Sequence, residues 1–369
     1  MTLTRTAVAA VLLLGAAGAF AQLPAIAVPG PQGAPSAPPQ TPPAVNGIIS
    51  IYGIADAGLQ YIKPEGAAST TGVVSGGKSG SRLGFRGTKD FAEGWNAQVV
   101  LEEGYSLDTG TSKQGGRLFG RQAFVALNGP YGTIAAGRIP SFSAGSGNFD
   151  LIGDIDPFLT QFGFGGVGTT MSSAAGLRLD NSIVWASPTW NGLRGGIGHS
   201  FNADGGESPG TGNNLSVTTS GLRYENAGFT GGVTYDLFHN PDGGPNESHF
   251  QVLADYDFKV VKAFAGFGFE RHLFASDFNS TATTDGSNAK AYMVGMTAPL
   301  GNGTFRLSYQ WRNQTDSRNL RVPSIGYEYY LLKNLQLYAV FTDVNGTSAL
   351  DRDPDFDHRD FTAGVYFRF

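Results

Sequence analysis

From Ile48 to the C-terminal Phe369, apolar and polar residues alternate in short segments separated by Gly, Asn, Asp and Pro. In Ile48 to Tyr61, residues Ile49, Ile51, Ala55, Ala57 and Leu59 share one face, and Ser50, Asp56 and Gln60 share the other. In Gly94 to Leu107, Ala97, Val99 and Leu101 oppose Asn96, Gln98 and Glu102. The terminal FTAGVYFRF sets Phe361, Ala363, Val365, Phe367 and Phe369 against Thr362, Gly364, Tyr366 and Arg368. This rhythm predicts about sixteen strands: 48–61, 79–88, 94–107, 116–127, 131–139, 177–187, 191–202, 215–226, 228–239, 248–256, 259–271, 288–298, 303–314, 320–331, 334–346 and 357–369.

The connections alternate in length. Short ones include NGPYG, SPTWNG, ENAG and PLGNG; long ones are Ile62–Lys78, Pro140–Gly176, Ala203–Asn214 and His272–Ser287. A soluble sandwich has no reason to keep its long loops at one end, whereas an up-and-down barrel threaded through a membrane does. Strands of this length exceed the ordinary soluble mode and suit a tilted crossing. In lipid an open sheet edge would leave amides unsatisfied, so the sheet must close. The fold class predicted is all-β, a sixteen-stranded antiparallel transmembrane β-barrel over 48–369. Tyr52, Tyr61, Trp95, Tyr105 and Trp190, near strand ends, are placed as interfacial girdle residues.

The front of the chain reads differently. Arg5 precedes the apolar run AVAAVLLLGAAG and then Ala19-Phe20-Ala21, the pattern of a secretory signal over 1–21 cut after Ala21. Gln22 to Gly47 is Pro-rich and reads as a disordered or polyproline-like tether (22–47). No stretch after Ile48 approaches the eighteen apolar residues of a membrane helix. The 54 Gly, 26 Phe and 14 Tyr are unlike a helical domain, and the absence of cysteine rules out disulfide support. With a net charge of −5 and no dense Lys/Arg run, nucleic acid is a poor partner. Histidines at 199, 239, 249, 272 and 358 are scattered without metal-ligand spacing, and neither GxSxG nor HExxH occurs. No catalytic residue, cofactor or metal is expected.

The arginines carry the chemistry. In GGRLFGRQAFVAL, Arg117 and Arg121 sit among apolar residues with no carboxylate beside them in sequence. By alternation Arg121 shares a face with Ala123 and Val125, away from Phe124 and Ala126. Arg82, Gly84 and Arg86 oppose Leu83 and Phe85, while Arg178 joins Asp180, Ser182 and Val184. A guanidinium facing lipid costs about 2–4 kcal/mol near the midplane, and little in a wet lumen. The arginines are expected to point inward.

With YGIADAGLQY, SGSRLGFRGTKD, LEEGYSLDTG, GGRLFGRQAFVAL, YGTIAAGR, LRLDNSIVWASP and a terminal Phe369, the chain resembles the Gram-negative general porins. The likeness is to the trimeric sixteen-stranded porins of β-proteobacteria. It spans Ile48 to Phe369, with specific motifs up to Pro188 and a match of architecture from Trp190 to Leu350. The resemblance implies a long third loop, 140–176, folded into the barrel as a constriction. It implies a basic wall of Arg82, Arg121 and Arg178, with Arg86, Arg117 and Arg138 as further lumenal cations. The acids implied opposite are Asp150, Asp154 and Asp156 on the loop and Glu102 on the wall.

Such a protein is expected to be a homotrimer in the outer membrane, in contact with its lipid and lipopolysaccharide, with an assembly machinery recognising Phe369. Arginine stays protonated whatever its neighbours do, and a positive wall in a narrow lumen concentrates anions. The expected activity is passive diffusion of small hydrophilic solutes and inorganic ions, with an anion preference. Two features depart from the family: the Pro-rich segment before Ile48 and the glycine-rich QFGFGG in the loop. A solute-specific channel for sugars or organic anions stays open beside the general pore. A structural barrel is the third reading, although it has no need of a long internal loop.

Overall fold

The computed structural model describes residues 48–159, 171–172, 175–206, 209–210, 214–273, 286–315, 319–346 and 357–369. The predicted signal and Pro-rich segment, 1–47, lie outside the described residues. The strands are β1 (Ile48–Pro64), β2 (Thr70–Ser75), β3 (Arg82–Ala92), β4 (Trp95–Gly104), β5 (Gln122–Gly129), β6 (Gly132–Pro140), β7 (Arg178–Ala186), β8 (Leu193–Ser200) and β9 (Val217–Asn226). They continue as β10 (Phe229–Phe238), β11 (Glu247–Asp257), β12 (Lys262–Leu273), β13 (Ser287–Leu300), β14 (Gly303–Gln314), β15 (Leu320–Leu332), β16 (Leu335–Val344) and β17 (His358–Arg368).

From β3 onward each strand pairs antiparallel with the next, and β17 returns to β1 in the register Ile54↔Arg368 through Pro64↔His358. Phe369 completes the seam through Gly53 N–H to Phe369 O at 3.0 Å and the reverse bond at 3.1 Å. β2 and β3 pair with successive parts of β1, Ala57↔Ser75 through Ile62↔Thr70 and then Ile48↔Thr88 through Ile54↔Arg82. They are one stave interrupted at residues 76–81, so the seventeen strand segments make a closed barrel of sixteen staves. Closure leaves no lipid-exposed edge.

Two sequence expectations are corrected. The long connection Ile62–Lys78 is mostly strand, because β1 runs on to Pro64 and the β-favouring Thr70, Thr71, Val73 and Val74 pair with it. The strand expected over 116–127 begins only at Gln122.

Alternation along each stave separates two surfaces. Val125, Ile197, Leu222 and Ile325 are 61%, 54%, 53% and 45% exposed, while their neighbours Phe124, Arg223 and Ser324 are buried. In water that apolar girdle would forfeit about 25 cal/mol per Å²; in a bilayer it is the seal. Tight hairpins join the staves at one end, as at Asn191 (φ 50°) and Gly192 (φ 86°), where a two-residue turn matching strand twist needs positive φ at both central positions. Asp56, Glu102, Arg223, Asp236, Gln310 and Glu328 point the other way, into the barrel.

Candidate functional site: the loop and the basic wall

After β6 the chain turns inward. Of the predicted loop 140–176, residues 140–159, 171–172 and 175–176 are described. They pack on inward-facing positions of the wall, and under many of the apolar loop residues the stave carries glycine. The Phe142 ring sits against Gly196 of β8, Leu151 against Gly221 of β9, and Ile152 and Ile155 against Gly232 of β10. Met171 meets Gly266 of β12, the Pro157 ring meets Gly295 of β13, and Phe158 meets Gly326 of β15. A Cβ at Gly221 or Gly326 would lie 2.8 Å from Leu151 Cδ1 or Phe158 Cε1. Carbon atoms prefer about 3.5–4.0 Å, so any larger residue would push the loop away. Phe142, Ile152, Ile155 and Phe158 are all 1% exposed or less.

Polar contacts fix the same path. Ser143 Oγ donates to Asp236 at 2.5 Å, the Phe142 N–H to Thr219 Oγ1 at 3.2 Å, and Ser172 Oγ lies 3.2 Å from His249 Nδ1. Arg223 holds Asp154 with a 2.7 Å bond from one guanidinium nitrogen and Leu151 O with a 2.9 Å bond from the other. Farther along, Arg306 donates to Pro157 O.

The loop acids take different positions. Asp150 accepts from the N–H groups of Gly145 at 2.9 Å and Gly153 at 2.8 Å, so it shapes the loop's own backbone. Burial, and then the charge of Asp154, push its carboxyl up to about 6 despite those bonds. Asp156 is fully buried and caps the Phe158 N–H at 2.6 Å. Asp154, its side chain 17% exposed, faces the wall as the partner of Arg223.

Across the lumen the expected arginines come together. Arg82 is aimed by Gly80 O and Ser79 Oγ, each at 2.8 Å. Arg121 Nε pairs with Glu102 at 2.7 Å, and Tyr52 Oη donates to the same carboxylate at 3.0 Å. Arg178 donates to Gly176 O at 2.6 Å. The charges of Arg82, Arg121 and Arg178 act directly on one another, with Glu102 the acid among them and Arg138 at the edge. Arg138 and the half-exposed Arg117 share Asp180 at 2.5 and 2.6 Å. Arg86 lies over the Tyr52 ring, 5.2 Å from its centroid. Among the described residues, six arginines thus gather here with the carboxylates Glu102 and Asp180 among them, leaving the patch net positive.

Three further details depart from the sequence reading. Arg117 and Arg121 do have acidic partners, but these come from β7 and β4 and were invisible in the local sequence. Val125 faces outward and Phe124 and Ala126 inward, the reverse of the face assigned with Arg121. Arg121 still reaches the lumen because it precedes β5, where alternation has not begun. Tyr52 leaves the girdle set, because its hydroxyl is bonded inside the barrel. Arg223, Arg306, Lys78 and Glu328 were missed. The alternation in TTSGLRYEN and TFRLSYQWR, with Leu222 and Leu307 outward, already set both arginines inward.

A closed barrel with an inward-packed loop and an arginine patch can be placed among known proteins. The family model described as Gram-negative porin matches residues 6–349. The chain belongs to that family. An outer membrane porin protein of Bordetella pertussis is 31% identical over 79% of this porin and 87% of the relative. Outer membrane porin protein 32 of Delftia acidovorans is 28% identical over 79% and 82%. Among solved structures, the anion-selective porin from Comamonas acidovorans superposes with a TM-score of 0.70, covering 88% of this porin and all of that chain at 22% identity, a likeness of fold. The protein is an outer-membrane channel that crosses the bilayer with its strands, and it is not an enzyme.

Proposed function

We propose that this porin passes small hydrophilic solutes and inorganic ions by passive diffusion, with a preference for anions. The constriction in this reading lies between the wall of Arg82, Arg121 and Arg178 and the docked loop 140–176. The observation that carries it is the gathering of those three guanidinium groups around one buried carboxylate, Glu102. Similarity in fold to a porin named as anion-selective supports the sign. An ion passing about 6 Å from one uncompensated charge in water gains or loses roughly 0.7 kcal/mol. The difference between anion and cation is then about 1.4 kcal/mol, a factor of roughly ten per charge. We place the signal at 1–21, the Pro-rich segment at 22–47 and the barrel at 48–369. We also assign a homotrimer, as in the trimer form of OmpT of Vibrio cholerae, contact with lipid and lipopolysaccharide, and assembly through Phe369.

The test is reconstitution in planar bilayers under a salt gradient. Stepwise conductance with a reversal potential on the anion side is expected. Replacing Arg82 and Arg178 by Gln, singly and together, should move that potential toward cations, and Glu102→Gln should move it the other way. Folded protein without conductance would sink the channel itself, and arginine variants with an unmoved potential would sink the assigned constriction.

A further inference from the structure

One buried carboxylate ties together the two segments that enter the lumen. Glu328 of β15 is fully buried, and its oxygens divide between two cations. Oε1 lies 2.6 Å from Lys78 Nζ, and Oε2 lies 2.8 Å from a guanidinium nitrogen of Arg306. Each cation is the handle of a different segment.

Lys78 belongs to residues 76–81, the interruption between β2 and β3. That segment folds over Asp56, whose Oδ2 accepts the N–H groups of Lys78 at 2.9 Å and Ser79 at 2.6 Å. Its Oδ1 accepts the Tyr338 hydroxyl at 2.7 Å. Ser79 and Gly80 in turn aim Arg82. Arg306 holds the far end of the constriction loop through Pro157 O, beside Phe158 in its glycine seat. A continuous chain of contacts therefore runs from Arg82 through 76–81, Lys78, Glu328 and Arg306 to Pro157.

We propose that Glu328 is a positioning residue that sets the distance between the basic wall and the loop, and so fixes pore width. The geometry fits this role better than that of a stray lumenal acid. Glu328 is shielded from permeating ions by the groups around it, and the Tyr330 hydroxyl donates to Oε2 beside Arg306 at 3.2 Å. Lys78 is itself buried, over the Tyr366 ring at 4.8 Å and bonded to Gln336, and its ion pair among the described residues is with Glu328. A bridge between two cations depends on length as well as charge, because aspartate is one methylene too short to span both. The proposal rests on the constriction lying between these segments.

The full-length protein carrying Glu328→Asp, Glu328→Gln, Lys78→Met or Lys78→Met with Glu328→Gln is compared with the parent. Folding is read from heat-modifiable electrophoretic mobility, and function from single-channel recordings in planar bilayers. Glu328→Asp should fold, keep the reversal potential and show at least twofold greater open-channel noise or a second conductance level. Glu328→Gln should add a shift toward anions, and Lys78→Met a shift toward cations with similar noise. The double variant should be no noisier than either single one, since both break the same link. A folded Glu328→Asp with one steady parental level overturns the proposal. If that variant does not fold, a steady parental level in Lys78→Met does the same. A purely structural acid would lower heat resistance and leave noise unchanged, which also counts against positioning. Silent Glu328 variants beside an effective Arg82→Gln would remove the link and keep the constriction, whereas a silent Arg82→Gln would remove the constriction itself.

Discussion

Replacing Gly232 by Ala tests whether the loop is held by shape. The added Cβ would stand 2.9 Å from Ile152 Cγ2, 3.0 Å from Ile155 Cδ1 and 3.3 Å from Leu151 O. Against a preferred separation of about 3.5–4.0 Å, the two carbon contacts are short by roughly 0.5–1 Å. Ile155 Cδ1 ends a flexible arm and can turn aside. Ile152 Cγ2 branches at Cβ and is stiff, so relief must come from the loop backbone. Overpacking of this kind costs about 1–3 kcal/mol. Ordering gained by replacing a strand glycine returns only about 0.5–1 kcal/mol, so the balance is destabilising. Because the wall stands behind the loop, the only direction of retreat is into the lumen. Gly232→Ala should therefore lower single-channel conductance and the temperature at which the folded band is lost in gels. Adding Ile152→Ala should recover much of the conductance, giving a non-additive cycle. Gly72→Ala in β2, where a Cβ meets nothing within 4 Å, is the control and should behave as the parent. Parental conductance in Gly232→Ala, or an equal loss in Gly72→Ala, would refute the reasoning.

Phe158→Ala, which empties a fully buried seat, should cost about 3–5 kcal/mol and loosen the loop end, seen as variable conductance levels in single-channel records. Arg121→Gln removes the ion pair of the buried Glu102, leaving it the Tyr52 hydroxyl and the charge of Arg82, and should lower barrel stability more than Arg82→Gln does, a contrast readable by thermal gel shift. Asp150 has its carboxyl raised from 3.8 to about 6, so the folded loop binds a proton more readily than the unfolded chain. Its contribution favours the fold below pH 4 and is lost as pH rises to 6, by roughly 3 kcal/mol across the window. Asp150→Asn should flatten that step in a pH series of thermal stability and should not destabilise the protein at pH 7. Deleting Leu23 to Asn46 should leave the barrel assembled and conducting, as measured by the same gel shift and bilayer recordings.

The barrel was legible because a period of two survives any tertiary detail. The outward Ile49, Ile51 and Leu59 and the inward Asp56 could be read from β1 alone. Arg82 and Arg86 follow the same rule within β3. The rule fails where a strand has not started, as at Arg121, and where a loop re-enters the barrel, as at Asp150 and Asp156. Pairings such as Arg117 with Asp180 or Lys78 with Glu328 join positions far apart in sequence, and no local pattern encodes them. The inward glycines were visible as composition only. Their meaning needed the loop that covers them.

The glycine seats also set a condition on assembly. Gly196, Gly221, Gly232, Gly295 and Gly326 all follow the loop in the chain, on staves β8 to β15. Phe142, Leu151 and Phe158 consequently have no seats until staves distant in the chain have been placed. Phe158 in particular waits for a stave that comes more than 160 residues later. Docking of the loop thus requires β8 to β15 to be in place, and a barrel without β15 would carry an unseated loop tip.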